Sequence, residues 1–245
     1  MKPTPNSQPD LQTLLAFGAH PDDIEFGCGA VVAAESQRGR KTHFVVCSRG
    51  ESGTNANADE RSNEAQKSAE ILGATLEFVE LGGDAHFART PSAALLLAAI
   101  LRRVRPGIVL APTPVANQHP DHAVLGHLVR DAARLARYGG VQELRDSSAH
   151  AIDQLLFYAV GVEGEPNDIP PVLVDVSDPE TMKRWKTSME AHASQMKTRN
   201  YVELQLTRAK LNGLRAGVEY AIALFPADPI VVDSLEHLGH GARRF

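Results

Sequence analysis

Cysteine is scarce: the 245 residues include only Cys28 and Cys47. Two are too few for a disulfide framework, so reduced intracellular thiols are the simpler reading. Cys28 lies beside a candidate site but reads as a small buried hydrophobe in preference to a ligand. There is no excess of basic charge, since 25 Lys and Arg against 30 Asp and Glu give a net charge of −5 without a basic block. Nucleic acid and anionic membrane surfaces are therefore poor partners. No run approaches the roughly 20 apolar residues of a membrane span. Residues 1–10, rich in Pro, Ser, Asn and Gln, lack the apolar stretch of a signal peptide. The expectations are a disordered lead-in over 1–10, one domain over 11–245 and a cytoplasmic location. Internal repeats are missing, and the first strand-to-helix turn has no G-x-G-x-x-G, which leaves dinucleotide binding unsupported.

What is present is regular. At 43% hydrophobic and 22% charged, the composition is ordinary for a globular chain with a sizeable core. An apolar run over about 11–19 reads as a buried strand, and Gly29–Glu35 as a helix reaching Arg38, with Gly39 as a C-cap. Further buried strands are predicted at 42–48, 76–81 and 107–112. They alternate with helices from Asp59, which has capping character, to Gly73, from Pro91 to Leu101, and through Val124 to Leu135. Four such alternations in short apolar runs predict an α/β fold: a Rossmann-like, mostly parallel β-sheet flanked by helices. The C-terminal portion is less regular, with strands expected at 154–160, 172–176 and 228–233 and helices at 179–192 and 199–216.

Two segments share a design. His20-Pro21-Asp22-Asp23 follows the first strand, and His119-Pro120-Asp121-His122 follows the fourth. A lone His-Pro-Asp turn is commonly just a capped helix start. Two of them at the carboxyl ends of parallel strands, where α/β sheets bind ligands, point to chemistry. Two His with one carboxylate and a water form an open zinc site, and the same set suits Fe(II). The adjacent carboxylates of Asp22 and Asp23 repel unless a cation relieves them.

With these motifs the chain resembles the LmbE-like/PIG-L family of zinc-dependent N-deacetylases. The loop Arg49-Gly50-Glu51-Ser52-Gly53-Thr54, the helix start Glu60-Arg61…Glu64-Ala65, and the late segments His192-Ala193-Ser194-Gln195 and Gly217-Val218-Glu219-Tyr220-Ala221 extend the resemblance over about residues 12–235. It is most similar to the bacillithiol-pathway branch, which deacetylates N-acetylglucosaminyl malate. The resemblance implies His20, Asp23 and His122 as ligands of Zn²⁺, with Fe²⁺ an alternative. It makes Asp22 the general base and His119 the group that stabilises the oxyanion or helps the leaving amine. Asp121 would orient His119 or a ligand. Arg61, Asp84 and His192 would contact substrate, an N-acetyl amino-sugar conjugate, and the chain would form a homotrimer or hexamer.

Plainer roles stand beside these: a helix-surface ion pair for Arg61, a turn cap for Asp84, loop ordering for Arg49 and Glu51, and packing for Tyr220. His237 and His240 read as solvated surface, and His86 has no assigned role. Gln118 departs from the arginine usual in the bacillithiol branch, which bears on recognition of a carboxylated aglycone. Two rival readings remain at this level: a metal- or sugar-binding module without useful turnover, and an Fe(II) oxygenase. Retention of Asp22 and His119 argues against the first, and the strand–helix alternation against the second.

Overall fold

The computed structural model describes residues 11–197 and 199–242, so the expected lead-in over 1–10 lies outside the described residues. The chain runs β1 (Leu14–Gly18), α1 (Asp23–Gln37), β2 (Thr42–Val46), α2 (Ala58–Leu72), β3 (Ala74–Phe78), α3 (Pro91–Val104), β4 (Ile108–Pro112) and α4 (Pro120–Arg137). It continues with β5 (Gln154–Tyr158), β6 (Val172–Asp175), α5 (Pro179–Glu190), α6 (Tyr201–Ala216) and β7 (Ala221–Pro226). The seven strands are ordered β3-β2-β1-β4-β5-β7-β6. Strands β1 to β5 are mutually parallel, whereas β7 runs antiparallel to both β5 and β6.

Both faces of the sheet are covered, which is why its central strands are apolar without alternation. In β1, Leu15 and Phe17 join the core beneath α3 and α4. Leu14 and Ala16 join the opposite core beneath α1, α2 and α5. Trp185 of α5 is 1% exposed and donates its indole N–H to the Glu25 carbonyl at 2.7 Å. Its loss would cost about 3–5 kcal/mol. Tyr158, fully buried, donates its hydroxyl to the Phe17 carbonyl at 2.7 Å and so ties the end of β5 to β1.

The mostly parallel sheet matches the expectation, while several boundaries differ. Helix α1 begins at Asp23, six residues before Gly29, so the second carboxylate of the doublet stands in its first turn. Asn57 caps α2 in place of Asp59, because its side chain accepts the Glu60 N–H at 2.9 Å. Residues 228–233 are not a strand. Ile230 and Val231 lie open to solvent, Val231 at 86% exposed, whereas the buried run Ala221–Pro226 is the strand that pairs.

The order of the sheet reverses between β1 and β4: β2 and β3 extend to one side of β1, and β5 follows β4 on the other. Crossovers leave in opposite directions there and open a crevice at the carboxyl ends. The two His-Pro-Asp segments follow these two strands.

Candidate metal-centred active site

Asp23 builds the first half of the site. Its Oδ2 accepts the backbone N–H groups of Ala19 and His20, at 2.8 and 2.9 Å, which closes the turn after β1. Its Oδ1 lies 3.0 Å from His122 Nε2, and Oδ2 lies 3.6 Å from His20 Nδ1. Burial acts to raise the Asp23 carboxyl, but His122 and His20 outweigh it and hold it well below the usual carboxylate range. Asp22 sits one residue earlier at φ 109°, ψ −25°. Such a conformation costs a non-glycine residue about 1–3 kcal/mol. Burial lifts the Asp22 carboxyl to about 6, against the opposing pull of Arg61 and with help from the charge of Asp23.

The second half comes from the start of α4. His119 is the N-cap residue, and its Nδ1 accepts the Asp121 N–H at 3.3 Å. Three positions on, His122 brings its ring to 5.3 Å from His20 and 5.4 Å from His119. His119 is the most open of the three, and burial together with His20 and His122 lowers its pKa.

His20 joins the halves. Its Nε2 lies 3.1 Å from Asp84 Oδ1 and 3.2 Å from Asp121 Oδ2. Burial works against a charged imidazole, yet Asp121, Asp23 and Asp84 together push it up to about 12. Carboxylates at Nε2 hold a proton on that nitrogen, which would leave Nδ1, on the side of Asp23, to serve a metal ion. Asp121 thus orients His20, through its side chain, and not His119. It also accepts the N–H groups of Ala85 and Phe87, at 2.7 and 3.3 Å.

The donor chemistry fits a divalent ion. His122 Nε2 is buried and makes no hydrogen bond of good geometry, although Asp23 Oδ1 lies 3.0 Å away, and this carboxylate stands between the two imidazoles. Ring nitrogens of His20, His119 and His122 also lie within 4.8 Å of one another. His20, Asp23 and His122 fit as the holding set, because His119 is exposed and has committed Nδ1 to the backbone.

A cavity of about 770 Å³ opens over this cluster. Asp22, Arg61, Asp84 and His119 line it. His192 does not: it is fully buried behind α1, with Nε2 3.3 Å from Glu25 Oε1, because the 3-10 turn after α5 packs there. Arg61 is 5% exposed, and its guanidinium bonds the carbonyls of Pro21 and Gly50. Glu51 orders its loop by accepting the N–H groups of Arg49 and Asp84. Cys28 is buried in the core, away from the cavity.

Sequence reasoning missed several lining residues, among them Asn117, Glu163, Gln195, Arg199 and Tyr201. Glu163 follows the carboxyl end of β5, so the strand-end rule that found the other loops would have found it. Gln118 turns its amide N–H₂ inward to the Thr113 carbonyl and hydroxyl, which pins the loop before α4.

Among the described residues, no helix is long and apolar enough to cross a membrane. Residues 15–133, which carry both His-Pro-Asp segments, match the family described as PIG-L, GlcNAc-PI de-N-acetylase. A 4-oxalmesaconate hydratase of Pseudomonas putida is 30% identical over 147 residues, 55% of this chain and 57% of that protein; the match thus spans little more than half of that relative. A diacetylchitobiose deacetylase of Thermococcus kodakarensis is 28% identical over 198 residues, 76% of this chain and 71% of that protein. The crystal structure of a conserved protein from Thermus thermophilus superposes with a TM-score of 0.80 at 29% identity, covering 91% of this chain and 97% of its own. On its fold and on the segment that holds both halves of the site, the chain belongs to the PIG-L/LmbE-like family.

Proposed function

We propose that the protein is a divalent-metal-dependent hydrolase that removes the acetyl group from an N-acetylglucosamine-type conjugate. The observation that carries this reading is the pairing of a second carboxylate, Asp22, whose pKa is lifted to about 6, with a donor set beside it that fits a metal ion. Zn²⁺, or Fe²⁺ in its place, held by His20, Asp23 and His122 would polarise the amide carbonyl and acidify a water.

The remaining steps belong to side chains. Asp22, in the carboxylate form above a pKa of about 6, takes the proton of the attacking water. It then returns a proton to the departing nitrogen. His119 accepts at Nδ1, so its neutral ring carries the N–H at Nε2 and donates to the carbonyl oxygen as charge develops there. Its lowered pKa suits this neutral form. Asp84 and Asp121 hold His20 in register.

A hydratase relative raises a different outcome for the same activated water, namely addition to a carbon–carbon double bond. The cavity is lined by Asp22, Asp23, Asp84 and Glu163, with Arg61 taken up by the protein and Arg199 left as the cation on its wall. The finer reading is a conjugate of the bacillithiol-pathway kind, with Gln118 in place of arginine as the feature that tests it. Metal-stripped protein reconstituted with Zn²⁺ or Fe²⁺ is assayed for acetate release from N-acetylglucosamine glycosides with malate, inositol or neutral aglycones. Acetate from at least one supports the reading. Absence of acetate from all, with hydration of an unsaturated carboxylate, replaces it; turnover of neither leaves a binding module.

A further inference from the structure

We propose that Arg61 is a positioning residue, which holds the strained Pro21–Asp22 segment in place and does not bind substrate. The guanidinium is 5% exposed. Its Nη2 donates to the Pro21 carbonyl at 2.7 Å and to Asp22 Oδ2 at 3.3 Å, and Nη1 donates to the Gly50 carbonyl at 3.2 Å. Nε is buried and has no partner. Arginine recognises a ligand carboxylate through a planar, bidentate fork. Here both terminal nitrogens are committed to the chain itself, although the group reaches the cavity wall.

What the fork grips is informative. Asp22 has the backbone of a glycine, at φ 109°, and its side chain makes no cap to α1. Among the described residues, the hydrogen bond from Arg61 is the one that its carboxylate accepts. The peptide on the N-terminal side of Asp22 and the carboxylate itself are therefore fixed by the same nitrogen. Release of that grip lets Asp22 return to negative φ and swings the carboxylate away from the reacting water. Gly50 supports the arrangement: it sits at φ 66°, and a Cβ there would overlap the guanidinium. The glycine in the loop after β2 thus makes room for Arg61.

The kinetic part of the test rests on the deacetylase reading, and the structural part does not. Arg61→Ala is expected to lower kcat about 100-fold with KM within about threefold and metal content unchanged, and guanidinium ion in the buffer to restore about tenfold of kcat. Arg61→Lys serves where the alanine variant does not fold, since one ammonium does not span the Pro21 and Gly50 carbonyls as the fork does. It is expected to show the same kcat-weighted loss. A crystal structure of either variant is expected to show Asp22 at negative φ, whether or not the protein is a deacetylase. The proposal is overturned if Asp22 keeps its backbone in the variant, or if KM rises while kcat holds.

Discussion

Nε2 of His20 and Oδ2 of Asp121 stand 3.2 Å apart, joining the loop after β1 to the first turn of α4 across 101 positions of sequence. Asp121 is 2% exposed and also receives the Ala85 N–H, so one carboxylate locks three strand-end loops together. If His20 holds the metal as proposed, replacing its outer partner weakens metal affinity about 10- to 100-fold. Asp121→Asn is expected to fall in that range when zinc affinity is measured by chelator competition. An affinity within twofold of wild type would remove Asp121 from the site.

The proposed function gives the neighbours Asp22 and Asp23 separate tasks. Asp22→Asn is expected to retain stoichiometric metal and to lose about 10²- to 10⁴-fold in acetate release, the usual contribution of a general base. His20→Ala is expected to lose the metal itself. Elemental analysis beside the rate separates the two, and an Asn variant of near-normal rate would free Asp22 of the role.

Gly126 lies in α4 where the helix crosses the end of β4, and a Cβ there would overlap the Pro112 carbonyl oxygen. Backbone cannot yield as a side chain can. Gly126→Ala is expected to destabilise by about 3 kcal/mol, at the upper end for overpacking. It should also weaken zinc binding, because α4 carries His122. Urea unfolding that matches wild type would contradict the packing.

Glu77 on β3 receives His43 Nε2 at 3.0 Å and Arg103 Nη2 at 2.5 Å. Burial acts to raise its pKa, but these two partners prevail and lower it. A depressed carboxylate contributes stability above its unfolded pKa, and the contribution disappears as pH falls through the folded value. Glu77→Gln is expected to cost about 1 kcal/mol at pH 7, as for a partly exposed pair. The gap to wild type should close below about pH 4, and thermal melts across that range that stay parallel would contradict it.

Legibility followed physical range. The alternation of apolar runs with capped helices is local, and it announced the parallel sheet and the ends of its strands. β7 was not read from the sequence: Ala221–Pro226 is a short apolar run with two alanines, and Ile230-Val231-Val232 close after it carries the stronger strand propensity. Burial chose between them, since only the first run finds partners in β5 and β6.

The same division holds for the site. The two clusters, His20 to Asp23 and His119 to His122, were readable along the chain, because each is a contiguous segment at a strand end. How the polar residues share the work was settled by packing between distant segments. It turned Asp121 toward His20, set His192 behind α1 against Glu25, and took up the fork of Arg61 on backbone carbonyls. Those outcomes depend on which groups long-range packing leaves without water, and a buried donor must then bond whatever acceptor the fold brings within reach.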